Sequence, residues 1–242
     1  MNALLLYWRE TGPQYLDVGE LGYLTYVSSL KLSCEPELYD CNLQKQPIKV
    51  VNELIYVGNT SFKTRVKMYF PNVEKPVAQK DLVRVFVDPT TMRPVAPPAW
   101  WREKHLPYSR ADERRISKPP FDFKTWSGAM QQEDIRVQVR DLNAKGHCDW
   151  VSFVWLCYEA YGSSQYKRFG RTLKGDLLRD VKCLVCAYKG EAGLGDLLKV
   201  FFLQDPVDTD TYHFQLAKRQ EEKETVIFEC HVIFFSQVMS KL

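Results

Sequence analysis

The spacing of apolar positions changes from helical to extended over the first ninety residues. Residues 3–9 form an apolar run that a Thr-Gly-Pro break ends, which predicts a short strand. From residue 19 to residue 33 apolar side chains recur about every three positions, which predicts an amphipathic helix. Its apolar positions are Leu21, Leu24, Val27, Leu30 and Leu32. Extended segments follow at residues 48–57, 62–70 and 82–87, and Pro89 closes the last of them.

A similar order of elements recurs after residue 128. Residues 134–140 alternate as a strand, and residues 148–166 predict a helix with aromatic side chains on several faces. Further strands are predicted at residues 177–188, 197–204, 212–217 and 226–235. Each half therefore predicts a strand, a helix and then three or four strands, which indicates an internal repeat of a whole domain. One helix packed on an antiparallel sheet is an α+β arrangement.

The two predicted domains are separated by a proline-rich segment. Residues 89–128 contain seven prolines, which predicts a long connector with little regular structure. We expect Trp100 and Trp101 to pin this connector to a domain surface. The predicted boundaries are residues 1–92 for an N-terminal domain, 93–128 for the connector and 129–242 for a C-terminal domain.

Composition narrows the classes of function. The net charge of +3 over 242 residues is small, which argues against a dedicated nucleic-acid-binding protein. No apolar run approaches the ~18 residues that a transmembrane segment needs, and the N-terminus lacks the basic region of a secretory signal. Seven cysteines without a framework spacing predict free thiols in an intracellular, reducing compartment. A mitochondrial or other organellar location stays open.

Several chemical motifs are missing from the sequence. There is no phosphate-cradling or dinucleotide-binding glycine motif and no Gly-x-Ser-x-Gly elbow, so we predict no cofactor. Cys183 and Cys186 lie three apart in a strand-like run and should face opposite sides, which argues against a metal site. His213 and His231 fall on separate predicted strands, and we interpret both as structural.

One segment carries a family resemblance. Residues 139–153 resemble the strand-to-helix signature of the hotdog-fold acyl thioesterases, which reads roughly Asp-x-Asp-x-x-Gly-His-x-Asn-Asn-x-x-Tyr. Asp141, Gly146 and His147 match this pattern, and Phe153 stands at the tyrosine position. The departures are Asn143 at the second aspartate, and Asp149 and Trp150 at the paired asparagines.

The first half carries a fainter copy of this signature. Residues 19–26 align with residues 146–153 without a gap, which places Glu20 at the His147 position and Leu16 at the Asn143 position. The resemblance implies two hotdog domains in tandem, paired as a pseudo-dimer. In each domain a curved antiparallel sheet would wrap one central helix.

The family chemistry requires a carboxylate near the start of the central helix. Backbone N–H groups there hold the thioester carbonyl, and the carboxylate acts as nucleophile or base. Here Asn143 stands at the carboxylate position, and an amide is neither a base nor a competent nucleophile. His147 is the remaining candidate base, with Asp141 as its orienting partner or Glu159 as an alternative carboxylate. By position, Gly146, Cys148 and Lys145 would contact the substrate.

Three functions remain compatible with these residues. The altered signature favours a pseudoenzyme that serves as an accessory subunit of a protein complex. The alternatives are an acyl-CoA or acyl-carrier-protein thioesterase, and a binder of acyl-CoA without turnover. In the last case Lys167, Arg168 and Arg171 would meet the CoA phosphates. An open space beside His147 would favour activity or binding, whereas a space filled by aromatic side chains would favour the accessory subunit.

Overall fold

The structure is a computed structural model that describes residues 21–113, 119–126, 128–143, 146–169, 179–220 and 223–236. Within these residues nine strands form one antiparallel sheet. The strands are β1 (Leu24–Cys34), β2 (Lys49–Val57), β3 (Ser61–Tyr69), β4 (Ala78–Val87), β5 (Gln131–Arg136), β6 (Val181–Tyr188), β7 (Leu197–Gln204), β8 (Thr211–Gln220) and β9 (Lys223–Phe234). The α-helices are α1 (Ala99–His105) and α2 (Trp150–Phe169). Neither of these helices is long and apolar enough to cross a membrane.

The centre of the sheet joins the two halves of the chain. The strand order is β2-β3-β4-β1-β6-β9-β8-β7-β5. Strand β1 pairs with β4 on one side and with β6 on the other, where Leu30 lies opposite Cys186. A register shift between Val27 and Ser29 marks a bulge in β1, and bulges increase the local twist of a strand.

Helix α2 packs on one face of this sheet. Phe153 stacks on Phe228 of β9 with ring centroids 5.4 Å apart. Phe153 and Val154 belong to one buried cluster that also contains Leu30 of β1 and Leu184 of β6. Each fully buried side chain of this size contributes roughly 1.5–3 kcal/mol. The two halves of the chain therefore share a hydrophobic core.

The helix predicted for residues 19–33 is wrong. The described part of this range is mostly the strand β1, and residues 1–20 lie outside the described residues. Leu30, Leu32 and Cys34 alternate along β1 and are buried, because β4 and β6 pair with both edges of the strand and this face of it packs in the core cluster that includes Val154 of α2. Short apolar runs fit helix and strand spacing alike. The faint first-half copy of the signature fails with it, since residues 24–26 are strand.

The connector has more regular structure than its prolines predicted. It contains α1, and Trp101 of this helix is fully buried against Phe62 and Phe86, with ring centroids 5.7 and 5.0 Å away. Trp100 is half exposed, so only one of the two tryptophans pins the connector. The Arg110 N–H donates to the Ile55 carbonyl at 2.7 Å, which covers part of the free edge of β2.

The strand predicted at residues 3–9 lies outside the described residues, and the strand predicted at residues 134–140 begins and ends three to four residues earlier as β5. The other predicted elements agree with the structure within a few residues. The helix predicted at residues 148–166 is α2, and the strands predicted at residues 197–204 and 226–235 are β7 and β9. These segments combine strong periodicity with β-branched and aromatic residues, which local preference and tertiary packing favour together. Cys183 and Cys186 occupy opposite faces of β6, as alternation requires.

Candidate functional site

A tight loop precedes α2 and carries the signature residues. The Asn143 N–H donates to the His147 carbonyl at 2.9 Å, and the Asn143 Oδ1 accepts the His147 N–H at 3.3 Å. Gly146 has a φ of +79°, a left-handed conformation that side chains with a Cβ rarely adopt. Asn143 and Gly146 thus close the loop that presents His147.

A second loop, between β6 and β7, supports the first. The Cys148 N–H donates to the Ala192 carbonyl at 2.9 Å, and His147 forms a bridge with Gly193. This pairing brings Glu191 beside His147, with 3.4 Å between Nδ1 and Oε2. Both side chains are a little under half exposed, at 44% and 45%.

The start of α2 is capped by a carboxylate. The Asp149 Oδ1 accepts the Val151 N–H at 2.8 Å and the Ser152 N–H at 3.2 Å. This is the N-cap arrangement, in which a side-chain oxygen satisfies backbone donors of the first turn and its negative charge suits the helix dipole. The cap therefore occupies two of the donors that would otherwise face a ligand.

A cavity of about 240 Å³ lies between this loop, the start of α2 and the start of β1. We call it the helix-start cavity. It is lined by Leu24, Thr25, Tyr26, Val27, Asn143, His147, Cys148, Asp149, Trp150, Phe153, Tyr188, Gly190 and Glu191. Trp150 and Phe153 line this space without filling it, so the cavity beside His147 is open.

Asp141 does not orient His147, the role that the sequence predicted for it. Its Oδ2 accepts the Gln138 N–H at 2.7 Å and closes a short 3-10 turn at Val139–Asp141. Asp141 is buried, and the carboxylate in contact with His147 is Glu191 instead. Glu191 lies 44 positions after His147, and only the pairing of the two loops brings it there, so the sequence offered no signal for it.

Several other predicted site residues either pair with groups away from the cavity or lie outside the described residues. Glu159 is exposed on α2 and pairs with Arg140 at 3.2 Å, so the structure does not bring it to the cavity. Lys145 lies outside the described residues. Lys167 pairs with Glu133, and the side chain of Arg168 and the whole of Arg171 lie outside the described part.

Cys148 is buried among acidic groups. Burial, and then the carboxylates of Asp141, Asp149 and Asp196, together raise the pKa of its thiol to about 12. The thiol is therefore neutral at physiological pH and is a poor nucleophile. Among the described residues no group of three or more His, Cys, Asp or Glu side chains is placed to hold a metal ion.

Comparisons of sequence find no relative, whereas comparisons of structure find many. No protein-family model and no curated protein matches the chain. A Lactobacillus plantarum protein assigned as an oleoyl thioesterase is similar over 97% of this chain and 86% of its own, at 12% identity and a TM-score of 0.68. The 12:0-ACP thioesterase from Umbellularia californica is similar over 91% of this chain and 78% of its own, at 11% identity and a TM-score of 0.63.

A third solved structure agrees with these two. The acyl-ACP thioesterase from Bacteroides thetaiotaomicron is similar over 90% of this chain and 79% of its own, at 16% identity and a TM-score of 0.59. At such identities the likeness establishes the fold alone. Over most of its length the chain has the hotdog fold of the acyl-ACP thioesterases, which confirms the resemblance that residues 139–153 indicated.

Proposed function

We propose that the protein is a non-catalytic hotdog protein with two domains in tandem, paired as a pseudo-dimer, and that it serves as an accessory subunit of a larger assembly. The strand order supports the tandem arrangement. Counted outward from the β1–β6 junction, one side runs β1, β4, β3, β2 and the other runs β6, β9, β8, β7, β5. The first four strands of the two sides follow the same order, and β5 is a fifth strand at the far edge that has no counterpart among the described strands of the first side.

The Asp149 cap is the observation that carries the non-catalytic proposal. In the family the first backbone N–H groups of the central helix hold the thioester oxygen as negative charge develops on it. Here the Val151 and Ser152 N–H groups already donate to the Asp149 carboxylate. An oxyanion at this position would lose those donors and would lie against a like charge.

The position of Asn143 supports the same conclusion. Its Oδ1 accepts the His147 N–H, so the side chain that stands at the family's carboxylate position serves the loop. An amide cannot take a proton from water at neutral pH. The site therefore lacks both the usual base and a free oxyanion pocket at the start of α2.

The test is a hydrolysis assay with the purified full chain and acyl-CoAs of several chain lengths. We expect release of CoA at the uncatalysed rate, with the wild type and His147→Ala indistinguishable. Turnover that is saturable in the acyl-CoA and lost in His147→Ala would overturn the proposal.

The accessory-subunit part is tested separately by the native size of the protein. We expect the endogenous protein to migrate in a stable complex far above the 28.3 kDa of one chain. Migration at the mass of one chain, together with background hydrolysis, would refute the assembly while leaving the non-catalytic assignment in place.

A thioesterase is the second candidate, and two observations favour it: the open cavity beside His147 and the His147–Glu191 pair. Glu191 would hold the imidazole through Nδ1, and Nε2 would accept a proton from water as the water oxygen attacks the thioester carbon. The C–S bond then breaks, and the thiol leaves with the proton that His147 returns. In this case Glu191→Gln should lower kcat about ten-fold at an unchanged KM, because the variant loses the orientation of the base and keeps the cavity.

A further inference from the structure

The wall of the helix-start cavity carries negative charge. Among its described lining residues Asp149 and Glu191 bear carboxylates, and no lysine or arginine lines the space. The Glu191 side chain is 45% exposed, so a ligand in the cavity can reach its carboxylate. The negative charge of Glu191 also acts on β1, because burial and then Glu191 raise the pKa of Tyr26. A phosphate or carboxylate ligand would therefore meet like charges in this cavity.

The start of α2 does not reverse the sign of this charge. A helix N-terminus acts as roughly half a positive charge, whereas the Asp149 cap brings a full negative charge to the same point. Lys80 lies outside the lining, with its Nζ 5.2 Å from the centre of the Trp150 ring. Burial, and then the neighbouring Arg84, lower the pKa of the Lys80 amine to about 7. Most of this amine is therefore uncharged at about pH 8.5.

Aromatic rings make up much of the remaining wall. The four aromatic lining residues come from β1, α2 and β6, and they are Tyr26, Trp150, Phe153 and Tyr188. The face of an aromatic ring attracts a cation, and the attraction is stronger where water is excluded. The Tyr188 hydroxyl donates to the Trp150 carbonyl at 3.0 Å, and the Phe153 ring lies 6.0 Å from the Tyr188 ring. These rings are therefore held in place before a ligand arrives, which lowers the entropic cost of binding.

Rings and carboxylates together favour one kind of cation. A primary ammonium group is strongly hydrated and needs acceptors for three N–H groups. Here the Glu191 carboxylate already contacts His147, and the Asp149 carboxylate already caps α2. A quaternary ammonium group has no N–H donors, and its methyl groups suit contact with aromatic faces. Such a group can therefore enter the cavity without needing hydrogen bonds that the wall has already used.

We propose that the helix-start cavity binds a quaternary ammonium group, with Glu191 and Asp149 balancing its charge and the Tyr26 ring facing its methyl groups. Since liquid water occupies about 30 Å³ per molecule, the volume of about 240 Å³ admits roughly eight non-hydrogen atoms. A choline-sized molecule fits within that limit. The proposal builds on the non-catalytic assignment, which leaves this cavity without a reaction to perform.

The test is titration calorimetry with the full chain and three probes of similar size. Choline is compared with 3,3-dimethyl-1-butanol, in which carbon replaces the charged nitrogen, and with ethanolamine, which keeps a charge and lacks the methyl groups. The buffer is held at about pH 8.5, above the range in which histidines ordinarily gain a proton. We expect choline to bind saturably at one site, about ten-fold more tightly than either of the other probes.

Each probe can contradict a different part of the proposal. Absence of saturable choline binding would overturn the site. The carbon analogue binding as tightly as choline would overturn the assignment of a cation. Ethanolamine binding as tightly as choline would overturn the assignment of a quaternary ammonium group.

A charge variant locates the binding. Glu191→Gln keeps the size of the side chain and should weaken choline binding about ten-fold, while the affinity for the carbon analogue stays unchanged. Glu159→Gln is the matched control, because Glu159 is similarly exposed at 48%, pairs with Arg140 and does not line the cavity. Equal choline affinity in the wild type and Glu191→Gln places the cation elsewhere and refutes the proposal.

A pair of variants at Tyr26 tests the ring. Tyr26→Phe keeps an aromatic face and should preserve choline binding, whereas Tyr26→Leu should weaken it about five-fold. Tyr108→Leu, at an exposed position outside the cavity, should leave the affinity unchanged. Full affinity in a folded Tyr26→Leu variant contradicts the role of the ring. If that variant fails to fold, the loop variant Glu191→Gln still decides whether the cation lies in this cavity.

Failure of this proposal is distinguishable from failure of the non-catalytic assignment. Background hydrolysis of acyl-CoA without choline binding would remove the ammonium site and leave the non-catalytic assignment in place. Saturable choline binding together with acyl-CoA turnover lost in His147→Ala would support the ammonium site and overturn the non-catalytic assignment.

Discussion

At the scale of single residues, the loop before α2 depends on one backbone conformation. Gly146 holds a φ of +79°, and a Cβ added there would meet nothing within 4 Å, so the cost of a side chain is purely conformational. We expect Gly146→Ala to lower the free energy of unfolding by about 1–2 kcal/mol, measured by urea denaturation. Gly193→Ala is the control, because its added Cβ would come no closer than 3.9 Å to Gly146 and its φ lies outside the left-handed region. Equal losses in both variants would contradict this explanation.

A pair of histidines on β8 and β9 makes stability depend on pH. His231 Nδ1 lies 3.1 Å from His213 Nδ1, and His213 Nε2 lies 2.9 Å from Asp205 Oδ2. Burial, and then the neighbouring His213, lower the pKa of His231 from 6.5 to about 4. The unfolded chain therefore binds more protons than the folded chain between these values, so stability is full above pH 6.5 and falls as the pH drops toward 4.

The corresponding prediction concerns the difference between wild type and His231→Gln. Over the window from pH 6.5 to pH 4 the wild type should lose about 2 kcal/mol more than the variant, a figure reduced for the partial solvent contact of the ring. Urea unfolding at several pH values in this window measures it. Parallel pH profiles for the two proteins would contradict the assignment to His231.

At the scale of elements, the Asp149 cap links the stability of α2 to its chemistry. Asp149→Ala removes the oxygen that satisfies the Val151 and Ser152 N–H groups, and should destabilise the protein by about 1 kcal/mol. Asp149→Asn keeps a capping oxygen and should stay within about 0.5 kcal/mol of the wild type. Thermal or urea unfolding of both variants checks this. A stable Asp149→Ala variant would mean that the cap is dispensable.

The elements also show how far sequence reasoning reaches. The helix α2 and strands such as β7 and β9 were predictable, because local preference and burial agree there. Strand β1 was predicted as a helix, since its extended form depends on pairing with β4 and β6 and on packing against α2, all of which come later in the chain. In the site, Gly146 and His147 were found from the motif, whereas Glu191 depends on how two loops pair.

At the scale of the whole molecule, one sheet and one shared core connect both halves. Leu30 of β1 and Phe153 of α2 belong to the same buried cluster, and β1 pairs with β6 along five residues. We therefore expect a single cooperative unfolding transition in urea, with far-ultraviolet circular dichroism and tryptophan fluorescence changing together. Two separate transitions would show that the halves unfold independently.

The position of β1 at the centre of the sheet has a consequence for biosynthesis. β4 covers one edge of β1 early, but β6 begins roughly a hundred residues after β4 ends. At ~5–20 residues per second, the other edge of β1 stays uncovered for roughly 5–20 s on the ribosome. During that interval the nascent chain presents unpaired N–H and C=O groups to neighbouring nascent chains. Truncated products that end before residue 181 keep this edge permanently, so incomplete translation yields chains that are prone to associate with one another.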